Sequence, residues 1–98
     1  MLTSKQRAYL RGQGQNLNAI FYIGKLGITD EIIHQLDNAI NARELIKIGV
    51  QEACQYTARE AADIISEKLG AEEVSVVGRK FVLYRQSRDP KKRVITLD

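Results

Sequence analysis

Three threonines mark where helices can begin in this sequence, and they constrain its fold more than any other feature. Thr3 and Thr57 are each followed three residues later by a side chain that can complete a capping box, Gln6 and Glu60. Thr29 is followed by two acidic residues, which the positive end of a helix dipole favours in the first turn. The sequence therefore predicts three helices, each preceded by a defined cap.

Short apolar segments between and after these helices have the character of strands. Residues 19–23 (AIFYI) are rich in β-branched and aromatic side chains, and residues 45–50 (LIKIGV) alternate between two faces. Residues 73–77 and 80–85 are two further segments, joined by a Gly-Arg pair that suits a type II′ hairpin. The order helix, strand, helix, strand, helix, strand, strand predicts an α/β fold. We expect a single compact domain with a four-stranded mixed sheet and helices mainly on one face.

Glycines and the single proline indicate where these elements end. The first helix is expected to end near Gly12 and Gly14, and the third at Gly70, because glycine commonly follows the last helical residue. The C-terminal tail, residues 87–98, contains the proline and is expected to be peripheral. Residues 94–97 (VITL) are nevertheless compatible with a short additional strand.

One face of the predicted sheet is expected to be partly open. In the strand at 45–50 the alternation places Ile46, Ile48 and Val50 on one face and Lys47 on the other. If the helices cover the first face, the second also carries residues of the last two strands, namely Ser75, Lys80 and Tyr84, depending on register. Such a surface either contributes to a binding site or is simply hydrated, and the sequence leaves both possibilities open.

The composition restricts the class of protein. Hydrophobic residues make up 44% of the 98 residues and charged residues 28%, close to a soluble globular domain, and no segment approaches the roughly 20 apolar residues of a membrane span. The first residues lack the apolar segment of a secretory signal, and the single Cys54 excludes an internal disulfide. We therefore expect one soluble domain in the cytoplasm.

The net charge of +3 is unevenly distributed along the chain. Residues 1–29 contain four basic and no acidic residues, and residues 30–78 contain ten acidic and four basic residues. Residues 79–98 contain seven basic and two acidic residues. A fold that brings the two ends together would therefore have one basic face, which suits a polyanion better than a small substrate.

The segment GKLG, residues 24–27, lies between a predicted strand and a predicted helix. It is compatible with a simple turn in which both glycines adopt positive φ. The alternative is a phosphate-binding loop, in which backbone amides, a helix N-terminus and Lys25 contact a nucleic-acid backbone, as the GxxG loops of KH domains do. A Walker A loop is excluded, because Ile28 and Thr29 stand where its lysine and hydroxyl residue would be. Leu26 can pack inward on the core or face outward against a sugar or base, and inward packing is favoured.

Four segments together resemble the YhbY family, the free-standing bacterial form of the CRM domain, which is named for chloroplast RNA splicing and ribosome maturation. They are TSKQRAYLRG near the start, FYIGKLGIT before the second helix, ELIKIGV, and VVGRKFVLYR. The resemblance covers residues 3–88 in order and spacing, and it leaves the basic tail outside the core. It implies a fold similar to the C-terminal domain of translation initiation factor three.

The resemblance also implies a function. The family is known for RNA binding and for association with precursors of the large ribosomal subunit, so the chain is expected to bind ribosomal RNA or pre-ribosomal particles and to assist large-subunit assembly. The implied RNA contacts are the loop residues Gly24, Lys25, Leu26 and Gly27, and the basic residues Lys5, Arg7, Arg11, Arg79, Lys80, Arg85 and Arg88. In KH domains the GxxG loop joins two helices, whereas here it joins a strand to a helix. Phosphate binding can therefore carry over, but a base-reading groove does not follow.

Other residues give no comparable signal. His34 falls on the polar side of its predicted helix, and Cys54 lacks a nearby base that would activate its thiol. One histidine and one cysteine do not supply a usual zinc site. The acidic residues of the middle segment are most simply a solubilising surface. Tyrosines can either pack in the core or stack on bases, and packing is favoured for the four present: Tyr9, Tyr22, Tyr56 and Tyr84.

The sequence thus predicts a binding protein rather than an enzyme, with no cofactor and no metal ion. The expected partner is RNA, without membrane or DNA binding, and the protein is expected to be a monomer. The alternative is a protein-interaction module that docks on a ribosomal protein or assembly factor without contacting RNA.

Overall fold

The helices and strands follow the predicted order. In a computed structural model that describes residues 2–97, the helices are α1 (Ser4–Gln15), α2 (Asp30–Arg43) and α3 (Ala58–Leu69). The strands are β1 (Phe21–Ile23), β2 (Leu45–Val50), β3 (Glu72–Val77) and β4 (Lys80–Tyr84), and a short 3-10 turn follows at Pro90–Lys92. The first strand is shorter than predicted, because only its last three residues enter the sheet. Among the helices within residues 2–97, none combines the length and apolar character needed to cross a bilayer.

Each helix begins at its predicted threonine. The Thr3 hydroxyl accepts a hydrogen bond from the Gln6 amide at 3.1 Å, and the Gln6 side chain accepts one from the Thr3 amide at 3.0 Å. Thr57 and Glu60 form the same reciprocal pair, at 3.1 and 2.9 Å. The Thr29 hydroxyl accepts a hydrogen bond from an amide in the first turn of α2 at 3.2 Å. Local capping therefore satisfies amides that helix starts leave unpaired.

The end of α1 differs from the prediction. The helix continues past Gly12 and Gly14 to Gln15, and its C-cap is Asn16. Gly14 is buried against β4, where an added Cβ would lie 3.1 Å from both methyl groups of Val82. This glycine therefore lets α1 approach the sheet closely instead of ending the helix.

The sheet is mixed, with strand order β1-β2-β4-β3. β1 runs parallel to β2, and the other two pairs are antiparallel. β3 and β4 form the predicted hairpin, in which Gly78 has a φ of +59° while Arg79 is not in the positive range, as a type II′ turn requires. A register shift between Glu73 and Ser75 makes Val74 a bulge in β3, an edge strand.

Two groups of buried side chains hold the layers together. α2 and α3 cover one face of the sheet and bury the larger group, which includes Leu36, Ile65 and Phe81. α1 lies across part of the other face and buries a smaller group: Leu10, Leu45, Val74, Val82 and Tyr84. The prediction of helices mainly on one face is confirmed, with α1 as the exception. Tyr84 does not belong to the open part of the sheet, because α1 covers it and leaves it 7% exposed.

A buried carboxylate ties the C-terminal tail to the domain. Glu44, between α2 and β2, has a positive φ of 67° and is 0% exposed. Its carboxylate accepts hydrogen bonds from the backbone amides of Ser87, Val94 and Ile95 at 2.7, 2.6 and 2.9 Å. The possible strand at 94–97 does not form, because two of its amides pair with this side chain and not with a strand. The tail is thus less peripheral than predicted.

The hydrogen bonds to Glu44 also set its charge. Burial alone would raise the pKa of this carboxyl, but the amides of Ser87, Ile95 and Val94, with the nearby Arg93 guanidinium, outweigh burial. The pKa of Glu44 therefore lies below its usual value of 4.5. The Glu44 carboxyl is therefore ionised at neutral pH, and the three backbone amides and Arg93 stabilise its negative charge inside the protein.

Candidate nucleic-acid interface

The GKLG segment forms a tight turn between β1 and α2. The Gly27 amide donates a hydrogen bond to the Gly24 carbonyl at 3.0 Å, so Lys25 and Leu26 occupy the two central positions. Gly27 has the predicted positive φ, +73°, whereas Gly24 does not. Leu26 is 87% exposed, so the expectation that it packs inward is wrong. The central side chains of so short a turn project away from the core.

Gly24 does not have a positive φ, but its missing side chain leaves room for the end of a neighbouring side chain. A Cβ at this position would lie 2.6 Å from Oε1 of Gln51, in the connection between β2 and α3. A Cβ on Gly27 would lie 3.7 Å from Tyr56 Cε2 and 3.8 Å from Gln55 Nε2, in the same connection. This connection therefore supports the loop from behind, at the end of the sheet where β1 and β2 finish.

The N-terminus of α2 is already capped and carries two acidic residues. One amide of its first turn already donates to the Thr29 hydroxyl. Asp30 and Glu31, both exposed, add two carboxylates to the same turn. These charges occupy the position that the helix dipole would offer to a phosphate. Because the Gly27 amide is also used within the turn, Lys25 is the group of this loop that is best suited to contact an anion.

The open part of the sheet lies on the face that α1 covers only in part. Paired residues of neighbouring strands point to the same face, so the register defines rows of side chains. The row nearest the β3–β4 hairpin runs across all four strands as Tyr22, Gly49, Lys80 and Val77. The next row contains Lys47, Val82 and Ser75. Lys47, Ser75 and Lys80 thus lie on the predicted face.

Tyr22 lies directly over the backbone of β2. A Cβ at Gly49 would be 2.5 and 2.6 Å from Tyr22 Cε1 and Cδ1, and 3.4 Å from its Cζ. Only a glycine leaves room for the ring in this position. Gly49 is buried, whereas Tyr22 is 50% exposed. The ring therefore covers one strand and remains open to solvent.

Three basic side chains from different elements surround a shallow groove between α1 and the open part of the sheet. They are Arg11 of α1, Lys47 of β2 and Lys80 of β4, and the remaining lining residues are Gly14, Gln15, Ser75, Val77 and Val82. We call this the sheet-face groove. No acidic residue lines it, and none of its three cations is ion-paired within residues 2–97.

The sheet-face groove joins the two basic ends of the sequence. Arg11 comes from the N-terminal basic block and Lys80 from the C-terminal one, so the fold brings residues of both blocks together at this surface. The Cα atoms of Lys47 and Lys80 are one strand and two residues apart, a separation of about 8 Å. Such spacing presents several positive charges to one extended anion.

Other basic residues of the predicted surface lie around the groove or serve in packing. Arg79 lies in the hairpin, 4.0 Å from the exposed carboxylate of Glu52. Arg7 donates a hydrogen bond to the Glu73 carbonyl and so fastens α1 to β3. Lys5 is exposed near the start of α1. Of these residues, Arg79 is the one that extends the positive surface along the hairpin.

Arg85 and Arg88 lie beyond the opposite end of β4. The strand has five residues, so about 14 Å separates its two ends. The buried Arg85 guanidinium is 2.7 Å from Asp37 Oδ1 and 2.8 Å from the Leu69 carbonyl. Arg88 is exposed, 3.9 Å from the same carboxylate. Arg85 therefore fastens α2 and α3 to the end of the sheet, and its charge is not available at the surface.

The remaining candidate residues take part in local contacts. His34 is exposed on α2, as predicted, and the Cys54 thiol accepts a hydrogen bond from a backbone amide at 3.4 Å. Burial raises the pKa of Glu73, and the neighbouring Asp63 raises it further, while Arg59, 3.5 Å away, opposes the shift. Within residues 2–97, no three His, Cys, Asp or Glu side chains come together as metal ligands would.

Comparison with known proteins agrees with this architecture. The family model described as the CRS1 / YhbY (CRM) domain matches residues 2–85, which include every helix and strand named above. The chain belongs to this family. The resemblance inferred from the four sequence segments is therefore confirmed. The docked tail of this CRM domain lies outside the matched residues.

Two relatives of this CRM domain match along more than nine-tenths of their length. Probable RNA-binding protein YqeI of Bacillus subtilis is 36% identical over 91 residues, covering 93% of this chain and 95% of YqeI. A Haemophilus influenzae protein named RNA-binding protein is 33% identical over 90 residues, covering 92% of this chain and 91% of its own. The solution structure of SAV1595 from Staphylococcus aureus matches with a TM-score of 0.77 at 39% identity, covering 98% of this chain and all of that one. The names of the first two describe RNA-binding proteins and not enzymes.

Sequence reasoning missed the contact between Tyr22 and Gly49. A signal was present, since a glycine within a strand often marks a close approach by another group. The partner could not be identified, because it depends on the register between β1 and β2. Gln51, whose amide donates a hydrogen bond to the Ile23 carbonyl just before the GKLG turn, carried no signal in the sequence.

Proposed function

We propose that this CRM domain binds RNA through the sheet-face groove and the adjacent GKLG turn. The names of two relatives, YqeI and the Haemophilus protein, support RNA as the ligand. The observation that carries the proposal is the groove itself, where Arg11, Lys47 and Lys80 converge from three elements without an acidic neighbour in the lining. Cations of this kind bind the phosphates of a nucleic acid.

The GKLG turn contributes a fourth positive charge at the end of the sheet. Lys25 is exposed at its tip. The backbone is anchored by two hydrogen bonds, from the Gln51 amide to the Ile23 carbonyl at 2.8 Å and from the Gly27 amide to the Gly24 carbonyl at 3.0 Å. A phosphate that reaches the turn meets the Lys25 side chain beside backbone that carries no Cβ at Gly24 and Gly27. The exposed Leu26 is then placed to contact a sugar or base. The turn acts as a phosphate contact and not as a helix N-terminal pocket.

Electrostatic binding of this kind has a measurable dependence on salt. Four phosphate contacts on a single-stranded segment give a slope of about −3 for the logarithm of affinity against the logarithm of salt concentration. Between 50 and 200 mM salt the affinity then falls by about 50-fold. Binding governed by apolar contacts would change far less over this range.

The cellular partner in this proposal is ribosomal RNA in precursors of the large ribosomal subunit, where the protein acts as a monomer and assists assembly. The basis is the YhbY resemblance, which extends over the residues of the turn and of the groove. This partner places the protein in the cytoplasm. A docking module for a ribosomal protein would instead use the exposed apolar side chains Leu26 and Val77.

Substitutions in the groove test the proposal directly. Arg11→Ala and Lys80→Ala should each weaken binding to large-subunit ribosomal RNA fragments and reduce the salt slope by about 0.7. Lys68→Ala, on α3 at the other face, removes the same charge and serves as the matched control, with binding unchanged. Fluorescence anisotropy at several salt concentrations measures both quantities. Equal effects of all three substitutions would show that only net charge matters, and the groove would not be the site.

Cosedimentation with ribosomal particles tests the partner. RNA binding predicts that the association disappears after RNase treatment and in the double variant Arg11→Ala, Lys80→Ala. An association that survives both would identify protein docking as the function and contradict the proposal.

A further inference from the structure

Tyr22 is unusual among the tyrosines of this domain because it is exposed at the centre of a strand. Tyr84 points to the same face of the sheet and is covered by α1, whereas Tyr22 is left 50% exposed. An aromatic side chain with this much exposed surface on an open sheet is available for a ligand.

The position of the ring is set by the residue opposite to it. Gly49 pairs with Tyr22 across β1 and β2, and its missing side chain leaves space for Cδ1, Cε1 and Cζ of the ring. The ring therefore rests on β2, an interior strand of the sheet. Support from below holds an aromatic surface in place before a ligand arrives, which lowers the entropy cost of binding.

Positive charges lie beside the ring, at distances comparable to the length of one or two nucleotides. Lys80 follows Gly49 in the same row, so its Cα atom is two strands, or about 10 Å, from that of Tyr22. Lys47 lies in the next row, on β2, the strand between β1 and β4. Arg79 also borders the depression next to Tyr22, together with Gln51 and Lys80. The acidic residue of that depression, Glu52, faces Arg79 at 4.0 Å. A base on the ring would place its phosphates toward these cations.

We propose that Tyr22, held over Gly49, is a stacking platform for an unpaired RNA base, with Lys47 and Lys80 at the flanking phosphates. The inference rests on the proposed RNA-binding function and specifies the class of RNA. Bases within an RNA duplex are stacked on one another, so their ring faces are not accessible to a protein side chain. The bases of loops, bulges and single strands can expose a ring face. The site thus selects RNA with unpaired nucleotides.

The test compares a short single-stranded RNA with a duplex of the same sequence. Tyr22→Leu keeps an apolar side chain but removes the aromatic face, so affinity for the single strand should fall by about 5- to 100-fold while duplex binding stays the same. Tyr22→Phe keeps the ring and should bind within about twofold of the parent protein. Gly49→Ala should lower the affinity for the single strand although Tyr22 is still present, because the added methyl group displaces the ring from its position over β2. Circular dichroism checks that each variant is folded.

Tyr9 provides the matched control, since it is also 50% exposed but lies on α1. Tyr9→Leu should leave single-strand binding unchanged. In the parent protein, ultraviolet crosslinking of RNA that contains 5-bromouridine should mark Tyr22 and not Tyr9, and this measurement does not depend on the folding of a variant. If the parent binds RNA but Tyr22→Leu binds the single strand equally well, or if the crosslink maps to Tyr9, the platform is wrong while the proposed function survives. If the parent binds neither RNA, the proposed function fails and the platform with it.

Discussion

Replacing Glu44 with glutamine is expected to destabilise the domain strongly, although the two side chains have nearly the same shape. In the folded protein one carboxylate oxygen accepts hydrogen bonds from the amides of Val94 and Ile95, and the other accepts one from Ser87. Glutamine retains one acceptor oxygen and presents an NH₂ group in place of the other. If the oxygen stays with the two tail amides, the NH₂ group faces the Ser87 amide, and two donors oppose each other.

The cost can be estimated from these three contacts. A buried amide left without an acceptor costs about 1–3 kcal/mol, and each hydrogen bond that loses a charged acceptor weakens by about 0.5–1 kcal/mol. We expect the free energy of unfolding to fall by about 3 kcal/mol in Glu44→Gln. For a domain of this size, such a loss lowers the melting temperature by about 12–24 °C.

Urea unfolding followed by circular dichroism at pH 7 measures this loss. Glu67→Gln, an identical change at an exposed position on α3, is the control and should leave the free energy of unfolding unchanged. The effect of Glu44→Gln should shrink in acid. Because the pKa of Glu44 is lowered in the folded state, its stabilisation is complete above about pH 5 and disappears as pH falls through the folded-state pKa. A loss below about 1 kcal/mol at pH 7, or one independent of pH, would refute the role given to this carboxylate.

Three further substitutions separate the binding site from the packing of the domain. Lys25→Ala should weaken RNA binding and reduce the salt slope by about 0.7 in anisotropy titrations, because one phosphate contact is lost. Gly27→Asp should nearly abolish binding, since it adds negative charge and a side chain at positive φ; its circular dichroism spectrum must show that the fold is retained. Arg85→Ala should lower the free energy of unfolding by about 2–3 kcal/mol in urea titrations, because Asp37 and the Leu69 carbonyl lose their partner. The salt slope of RNA binding should stay the same in folded Arg85→Ala, and a reduced slope would place Arg85 in the interface.

The parts of the fold that were predictable from sequence are those fixed by nearby residues. Thr3 and Thr57 cap helices through partners three residues away. The turn between β3 and β4 depends on the positive φ that Gly78 itself adopts. Gly14 was misinterpreted because a helix-ending glycine and a helix-packing glycine look the same in sequence. The difference is the contact with Val82, 68 positions further along the chain.

The candidate site shows the same division. The basic composition of the two ends indicated a positive surface if the fold brings them together, but only the packing of α1 on the sheet decides which cations share it. Arg11 and Lys80 both line the groove, whereas Arg85 forms an ion pair with Asp37. Glu44 gave no signal at all, since its partners lie 43 to 51 residues away and its buried charge depends on all of them.

The bulge at Val74 bears on how the protein behaves at high concentration. β3 is an edge strand, and a regular edge of six residues would offer its free amides and carbonyls to a second copy of the chain. The bulge breaks that regular spacing, and the Arg7 guanidinium donates a hydrogen bond to the Glu73 carbonyl beside it. At the other edge, β1 is three residues long and too short to template a partner strand. Both borders of the sheet thus resist the edge-to-edge pairing that begins aggregation, and Arg7, expected from the sequence to contact RNA, supplies part of that protection.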